Sequence, residues 1–165
     1  MAKSILHHSL RRTGRIARTV TLRLDQLRRR TWPERWCLVE ALLWLGIMRA
    51  ALWLLSFKQI ARLLGFSVGE YHLPPSASEL EATQRIGWAV RATAPHVPWQ
   101  SLCLAQALAA AAMLRRRCLP GTLYLGVAKG RDGKVQAHAW LRCGDDILTG
   151  GRSYQRFVVM LAYCW

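Results

Sequence analysis

Residues 122–143, TLYLGVAKGRDGKVQAHAWLRC, decide the fold of this chain. The side chains alternate in character over residues 122–128 and again over 134–143, and this period of two predicts a strand in each segment. Residues 130–133, Gly-Arg-Asp-Gly, have the composition of a turn between antiparallel strands. The stretch therefore predicts a β-hairpin.

The second strand of this hairpin has two different faces. Because side chains alternate across a sheet, His138 and Trp140 share one face with Gln136. The other face carries small or apolar side chains, namely Val135, Ala137, Ala139, Leu141 and Cys143. A lone histidine on a strand is more often structural than catalytic, so its role depends on what the rest of the chain provides.

An alanine-rich run over residues 101–117 precedes the hairpin and predicts a helix. We expect Ser101 to be its N-cap and Pro120 to follow its end. Cys103 then lies in the first turn, where the positive end of the helix dipole favours a thiolate. A thiol at a helix start and an imidazole on a strand, here His138, are the minimal apparatus of a cysteine hydrolase or acyltransferase. The alternative is that Cys103 is a small buried core residue.

Two further strands are expected after the hairpin. Gly144-Asp145 forms a tight turn into a strand over residues 146–149, and residues 156–163 supply a last apolar strand. Helices followed by an antiparallel sheet predict an α+β fold.

Three helices are expected before residue 101. Pro33 lies at the start of the first, the second covers residues 57–64, and the third covers residues 78–93. Ser78 followed by Glu81 is the pattern of a capping box for the third helix.

Residues 36–57, WCLVEALLWLGIMRAALWLLSF, are long and apolar enough to span a bilayer. Glu40 and Arg49 interrupt the run, and each charge at mid-membrane costs roughly 2.5–3.5 kcal/mol on insertion scales. Three interpretations stay open: a span, a peripheral membrane contact, or a helix packed against the domain or a partner. We favour the packed helix.

The chain is strongly basic, with 24 Lys and Arg residues against 9 Asp and Glu and a formal net charge of +15. Much of this charge lies before residue 36. Such a block attracts phosphates, anionic lipid or an acidic partner without identifying which. No base-reading motif accompanies the arginines, so we do not expect specific nucleic-acid binding.

We expect three segments: a basic N-terminal arm over residues 1–35, a hydrophobic helical segment over 36–66 and a catalytic domain over 67–165. The five cysteines form neither a CxxC pair nor a Cys/His cluster with zinc-ligand spacing, which disfavours a disulfide framework and a structural zinc. The opening residues lack an apolar core of signal-peptide length. We therefore expect a cytoplasmic location, where reducing conditions keep Cys103 a thiol.

Three motifs follow one another along the chain: Cys103-Leu104, Leu-Gly-Val at residues 125–127, and Ala-His-Ala-Trp-Leu at residues 137–141. Their order resembles the transglutaminase-like, papain-like cysteine protease of lasso-peptide biosynthesis, over roughly residues 99–163. The resemblance implies a cysteine-bearing helix and a histidine-bearing antiparallel sheet, preceded by N-terminal helices. It also implies removal of the leader from a ribosomally made precursor before macrolactam cyclisation. Acyl transfer or amidase activity by the same fold, and a non-enzymatic membrane-associated scaffold, are the alternatives.

In this resemblance Cys103 matches the family's nucleophile and His138 its general base. No cofactor and no metal is implied. The implied partners are the lasso precursor, a separate winged-helix protein that recognises the leader, and the ATP-dependent lasso cyclase. The recognition protein is expected to be separate because the arginine-rich start has no three-strand pattern to build one.

Members of that family commonly carry an aspartate that orients the histidine, and the matching position in this chain is Gly150. The expected register pairs Trp140 with Thr149, which puts Thr149 diagonal to the histidine on the same face. We expect Thr149, a backbone carbonyl or an acid from elsewhere to orient the imidazole. The same register leaves two weaker candidates, Asp145 and Asp146, on the order of 20 Å from it.

The oxyanion of an acyl-transfer intermediate needs hydrogen-bond donors. The backbone amide of Cys103 is the natural first donor, and Gln100 or Trp99 is the expected second. Trp99 is equally plausible as a core aromatic residue.

Overall fold

A computed structural model of the chain describes residues 31–130 and 133–165, so most of the predicted basic arm lies outside the described residues. The contacts divide the chain between Arg35 and Trp36, and residues Trp36–Trp165 form one compact unit. In its described part this unit combines α-helices with a five-stranded antiparallel sheet. The predicted α+β fold is confirmed.

The α-helices come first in the chain: α1 (Trp32–Leu54), α2 (Phe57–Leu63), α3 (Ala77–Thr93) and α4 (Cys103–Arg115). Pro33 lies in the first turn of α1, as predicted. α2 begins at a capping box in which the Ser56 hydroxyl accepts from the Gln59 backbone N–H. The Gln59 side chain in turn accepts from the Ser56 backbone N–H at 2.8 Å.

The capping box predicted for α3 is wrong by two residues. It is formed by Ser76 and Glu79 rather than Ser78 and Glu81. The Ser76 backbone N–H donates to the Glu79 carboxylate at 2.7 Å, and the Ser76 hydroxyl accepts from the Glu79 backbone N–H at 3.3 Å. Ser76 directly follows the proline pair at residues 74–75, so α3 begins immediately after that pair.

The predicted N-cap of α4 is also wrong, by one residue. Leu102 is the N-cap, and no side chain caps this end. The Ser101 carbonyl accepts from the Gln106 side-chain amide at 2.8 Å, whereas the Gln106 backbone N–H donates to the Leu102 carbonyl at 3.1 Å. The helical hydrogen bonding therefore begins one residue later than expected. Cys103 remains in the first turn.

The sheet is built from β1 (Ser67–Val68), β2 (Thr122–Lys129), β3 (Val135–Cys143), β4 (Asp146–Thr149) and β5 (Val158–Cys164). Its spatial order is β1-β5-β2-β3-β4, with every neighbouring pair antiparallel. The predicted hairpin is confirmed as β2 and β3, and Gly126 lies opposite His138. Short 3-10 helices at Ala94–His96 and Arg152–Arg156 follow α3 and β4.

α4 lies at the centre of the hydrophobic core. Its residues 107–114 are all buried, and it packs against both α3 and β3. Ala139, Leu141 and Cys143 of β3 belong to the same core, so the predicted apolar face is confirmed in the second half of the strand, whereas Val135 and Ala137 are exposed. Because most of the buried helix residues are alanines, the helix axis can approach the sheet closely.

α1 contributes one side to this core. Cys37, Ala41, Leu45 and Met48 of α1 are buried among the core residues. The helix is long and apolar enough to cross a membrane by length and composition alone. Its inner side, however, is part of the protein interior.

The pairing of β3 with β4 departs from the predicted register. Thr149 pairs with Leu141 instead of Trp140, because Leu148 is an extra, unpaired residue in β4. The Leu148 carbonyl oxygen accepts a hydrogen bond from the Arg91 guanidinium of α3. This contact gives the bulged peptide a partner outside the sheet, which sequence alternation cannot reveal.

Candidate active site

Cys103 is the first residue of α4 and is half-buried. The first N–H groups of a helix have no partner within it and carry the positive end of the helix dipole. The preceding loop is tied to the helix by the bond between the Gln106 side chain and the Ser101 carbonyl. Cys103 thus combines a fixed backbone, partial access to solvent and free amides beside its thiol.

His138 lies on β3 and is hydrogen-bonded to the main chain. Its Nε2 is 2.9 Å from the carbonyl oxygen of Gly150. A carbonyl only accepts hydrogen bonds, so the bond assigns the proton to Nε2 and leaves the lone pair on Nδ1. Of the three predicted ways to orient the imidazole, the structure contains the backbone carbonyl.

Two aromatic rings pack against the imidazole of His138. The Phe157 ring lies 4.7 Å from it, centroid to centroid, and the Trp140 ring lies at 6.0 Å. Trp140 is buried and stacks on Tyr124 at 5.4 Å. These rings, together with Tyr154, line a cavity of about 430 Å³. The lining of this cavity also includes polar and charged side chains.

Gly150 cannot carry a side chain in its present conformation. Its φ is +94°, in the region that favours glycine, and an added Cβ would overlap the Cβ of Trp140. The same Cβ would lie 2.9 Å from the Trp140 Cα and 3.0 Å from the Ala139 carbonyl oxygen. The position where the resemblance implies an aspartate therefore offers a main-chain oxygen and has no room for a carboxylate.

The other candidates for the orienting role do not contact the imidazole. Thr149 is fully buried, and its hydroxyl has no hydrogen-bond partner among the described residues, so the predicted bond to His138 is absent. The bulge explains this error, because it shifts Thr149 to a position opposite Leu141. Asp145 pairs with Arg142 at 2.8 Å, and Asp146 accepts from a glutamine of α3.

Cys103 and His138 both lie away from the point where α4 meets the start of β2. The last turn of α4 meets the start of β2, where Leu114 comes within 3.2 Å of a Cβ built on Gly121. β2 starts opposite Arg142 of β3. From there α4 extends about 18 Å back to its first residue, and β3 extends about 13 Å back to the histidine.

The helix that carries Cys103 and the imidazole of His138 lie on different faces of the sheet. α4 packs on the β3 face that carries Ala139 and Leu141, whereas the imidazole of His138 shares the opposite face with Trp140. Within residues 31–130 and 133–165, no hydrogen bond joins the thiol of Cys103 to the imidazole. The structure therefore places the two residues on elements that pack in one core, but it does not join the thiol to the imidazole.

Two buried polar atoms just before Cys103 have no hydrogen-bond partner among the described residues. They are the indole N–H of Trp99 and the hydroxyl of Ser101. The Trp99 ring also packs 3.5 Å from the Cβ position of Gly46 on α1, so this residue combines a core contact with a free donor. Gln100 is exposed. Sequence reasoning missed Ser101 as a free polar group because it was expected to cap α4.

The remaining cysteines differ from Cys103 in their surroundings. Cys37 and Cys143 are buried, and burial raises the pKa of both thiols. Cys118 is exposed and Cys164 is half-buried, and all five cysteines of the chain are free thiols. Among the described residues, no group of three His, Cys, Asp or Glu side chains could hold a metal ion.

A cysteine on a central helix followed by a histidine on an antiparallel sheet defines a class of α+β proteins with thiol chemistry. The family comparison agrees: the profile of the transglutaminase-like superfamily matches residues 44–162, well over half of the chain. The chain belongs to the transglutaminase-like superfamily, whose members are often cysteine peptidases or transferases. No curated protein and no solved structure matches the chain.

Proposed function

We propose that this protein is a cytoplasmic cysteine peptidase that removes the leader from a lasso-peptide precursor before macrolactam cyclisation. Membership of the transglutaminase-like superfamily supports the thiol chemistry. The resemblance of Cys103-Leu104, Leu-Gly-Val and Ala-His-Ala-Trp-Leu to the lasso protease supports the narrower reaction.

The observation that carries the proposal is the hydrogen bond from His138 Nε2 to the Gly150 carbonyl oxygen. It fixes the ring and leaves Nδ1 as the base, the tautomer that a thiol–imidazole pair needs. A backbone acceptor replaces the acid that the family commonly uses. The proposed machinery is therefore a dyad of Cys103 and His138, oriented by the main chain.

In the proposed reaction, substrate binding brings the thiol of Cys103 and the imidazole of His138 into contact, since they lie on different faces of the sheet without it. Nδ1 of His138 then accepts the thiol proton, and the thiolate attacks the carbonyl carbon of the leader–core peptide bond. The backbone N–H of Cys103 stabilises the oxyanion, with the indole N–H of Trp99 or the amide of Gln100 as the second donor. The imidazolium protonates the leaving amine of the core peptide. Water, deprotonated by the same imidazole, then cleaves the leader thioester.

The precursor is proposed to reach the site with help from other proteins. A separate winged-helix protein would hold the leader, and the ATP-dependent cyclase would accept the released core peptide. The aromatic cavity formed by Tyr124, Trp140, Tyr154 and Phe157 is a suitable receptor for an apolar precursor side chain near the cleaved bond.

The proposal is tested by mass spectrometry of synthetic lasso precursors incubated with the full chain and a leader-binding protein. We expect leader release by the parent chain and a loss of at least about 1000-fold in the Cys103→Ala and His138→Ala variants. Cys118→Ala, which changes an exposed thiol elsewhere, is the matched control and should cleave as the parent does. Cleavage by Cys103→Ala at the parent rate would reject the proposed nucleophile.

Two further measurements separate the alternatives. Iodoacetamide should label Cys103 more slowly in the His138→Ala variant than in the parent, because the imidazole promotes thiolate formation; equal rates would reject the dyad. Added alkylamine tests for acyl transfer. If amide products appear in place of the hydrolysed leader, the protein is a transferase and not a peptidase.

A further inference from the structure

The outer side of α1 is an apolar surface that no element among residues 31–130 and 133–165 covers. All its exposed residues between Trp36 and Leu54 are apolar, and we call them the α1 outer face. They are Trp36, Val39, Leu42, Leu43, Ile47, Ala50, Trp53 and Leu54, and the seven large ones are 43% to 84% exposed. A contiguous apolar surface of this kind marks an interaction site in a soluble protein.

The shape of the α1 outer face fits a flat surface. At about 100° per residue its members cover roughly 140° of the helix circumference, and they extend about 27 Å along the axis. A coiled-coil partner needs only a narrow stripe of two positions in seven. The tryptophans at its two ends, Trp36 and Trp53, are the side chains that favour the interface between lipid and water.

Positive charge accompanies this surface. Lys58 and Arg62 are exposed on the next helix, α2, one turn apart and beside the exposed Leu63. Residues 1–35, which precede α1 and include its first four residues, contain ten Lys and Arg against two Asp and Glu. An apolar face joined to a basic segment provides the two signals that hold a protein at an anionic lipid surface.

The inner side of α1 rules out a conventional span. Glu40 is buried and forms ion pairs with Arg116 and Arg117 at the end of α4. Cys37 and Leu45 are part of the hydrophobic core. Surrounding α1 with lipid would break these contacts, whereas a helix lying in the plane of the interface keeps them.

We propose that the α1 outer face docks the protein on the surface of an anionic bilayer. The apolar side chains enter the boundary between headgroups and acyl chains, and the basic residues lie over the lipid phosphates. This inference is independent of the proposed peptidase activity, because none of its residues belongs to the dyad.

Co-sedimentation of the full chain with vesicles tests the inference. We expect binding to phosphatidylcholine vesicles with about one-quarter phosphatidylglycerol, little binding to pure phosphatidylcholine, and weaker binding as salt is raised. The double variant Leu43→Gln/Ile47→Gln should partition at least about tenfold less. A matched pair of exposed apolar residues outside α1, changed as Leu73→Gln/Val135→Gln, should bind as the parent does.

The melting temperature of each variant shows whether it is folded, and Trp53→Gln replaces the double variant if that one unfolds. Equal binding by the α1 variant and the parent would overturn the proposal. Equal binding to neutral and anionic vesicles would overturn it too. A third outcome would also overturn the proposal: the parent binds neither kind of vesicle but forms oligomers, and the Leu43→Gln/Ile47→Gln substitutions dissociate them. The α1 outer face would then bind protein and not lipid.

Discussion

The main-chain oxygen of Gly150 takes the place at His138 where the resemblance leads us to expect a carboxylate. A carbonyl orients the ring through one hydrogen bond and carries no charge, so it stabilises an imidazolium less than an aspartate would. The oxygen can reach His138 because Gly150 adopts a φ of +94°. The geometry of the imidazole thus depends on a residue that has no functional group.

Substitution of Gly150 should therefore disturb both stability and the site. We expect Gly150→Ala to lower the free energy of unfolding by about 2–4 kcal/mol, through backbone strain and overlap with Trp140. Gly151→Ala is the matched control, because Gly151 also has a positive φ but no atom near its Cβ position. It should cost about 1–3 kcal/mol through backbone strain alone, and less than Gly150→Ala, because a φ of 63° with a ψ of −171° is almost exclusive to glycine. Urea denaturation measures both, and equal losses would contradict the predicted overlap.

Thr149 provides a test of what orients the imidazole. Its hydroxyl is buried without a partner, so Thr149→Val should raise the free energy of unfolding by up to about 1 kcal/mol by removing an unsatisfied polar group. If the Gly150 carbonyl is the orienting group, leader cleavage should stay within about twofold of the parent rate. A tenfold slower reaction in a fully folded variant would show that the hydroxyl acts on His138 after all.

At the scale of elements, a buried ion pair ties α1 to the end of α4. The Glu40 carboxylate is 9% exposed and accepts from Arg117 at 2.5 Å and from Arg116 at 3.2 Å. The hydrogen bond to Glu40 is the main cause of the raised pKa of Arg117. Glu40, one of the two charged residues that interrupt the apolar run of α1, thus has a structural role.

Replacing Glu40 should loosen this connection. We expect Glu40→Gln to lower the free energy of unfolding by about 1–3 kcal/mol, because it leaves the guanidinium of Arg117 without its charged partner. Glu81→Gln is the matched control, since Glu81 pairs with Arg85 on the exposed surface of α3. Its effect should stay below about 0.5 kcal/mol. Similar losses in the two variants would contradict a special role for the buried pair.

The sequence predicts elements better than their ends. The hairpin of β2 and β3 is confirmed because alternation and a glycine turn are local signals. The predicted cap of α3 is wrong because Ser76 and Ser78 are both suitable N-cap residues, and only the proline pair before Ser76 decides between them. The bulge at Leu148 depends on Arg91, a residue 57 positions earlier in the chain, and no local pattern contains that information.

At the scale of the whole molecule, the fold class is predictable from the sequence, but the relative positions of Cys103 and His138 are not. Faces of β3 and the first turn of α4 are predictable from periodicity, so Cys103 and His138 could each be located on an element. Their separation depends on how α4 crosses the sheet. The division between residues 36–66 and 67–165 stays a prediction, while α1 packs into the same core as the sheet.

The bond between His138 and the Gly150 carbonyl has a consequence for genetics. Every side chain of an enzyme can be deleted by changing a codon, but a peptide oxygen is present whichever amino acid is encoded. An alanine scan of the proposed site would therefore register Gly150 only through the strain and overlap of the added Cβ, because no substitution removes the carbonyl oxygen itself. The crowding by Trp140 also leaves no room for the side chain of an aspartate at position 150.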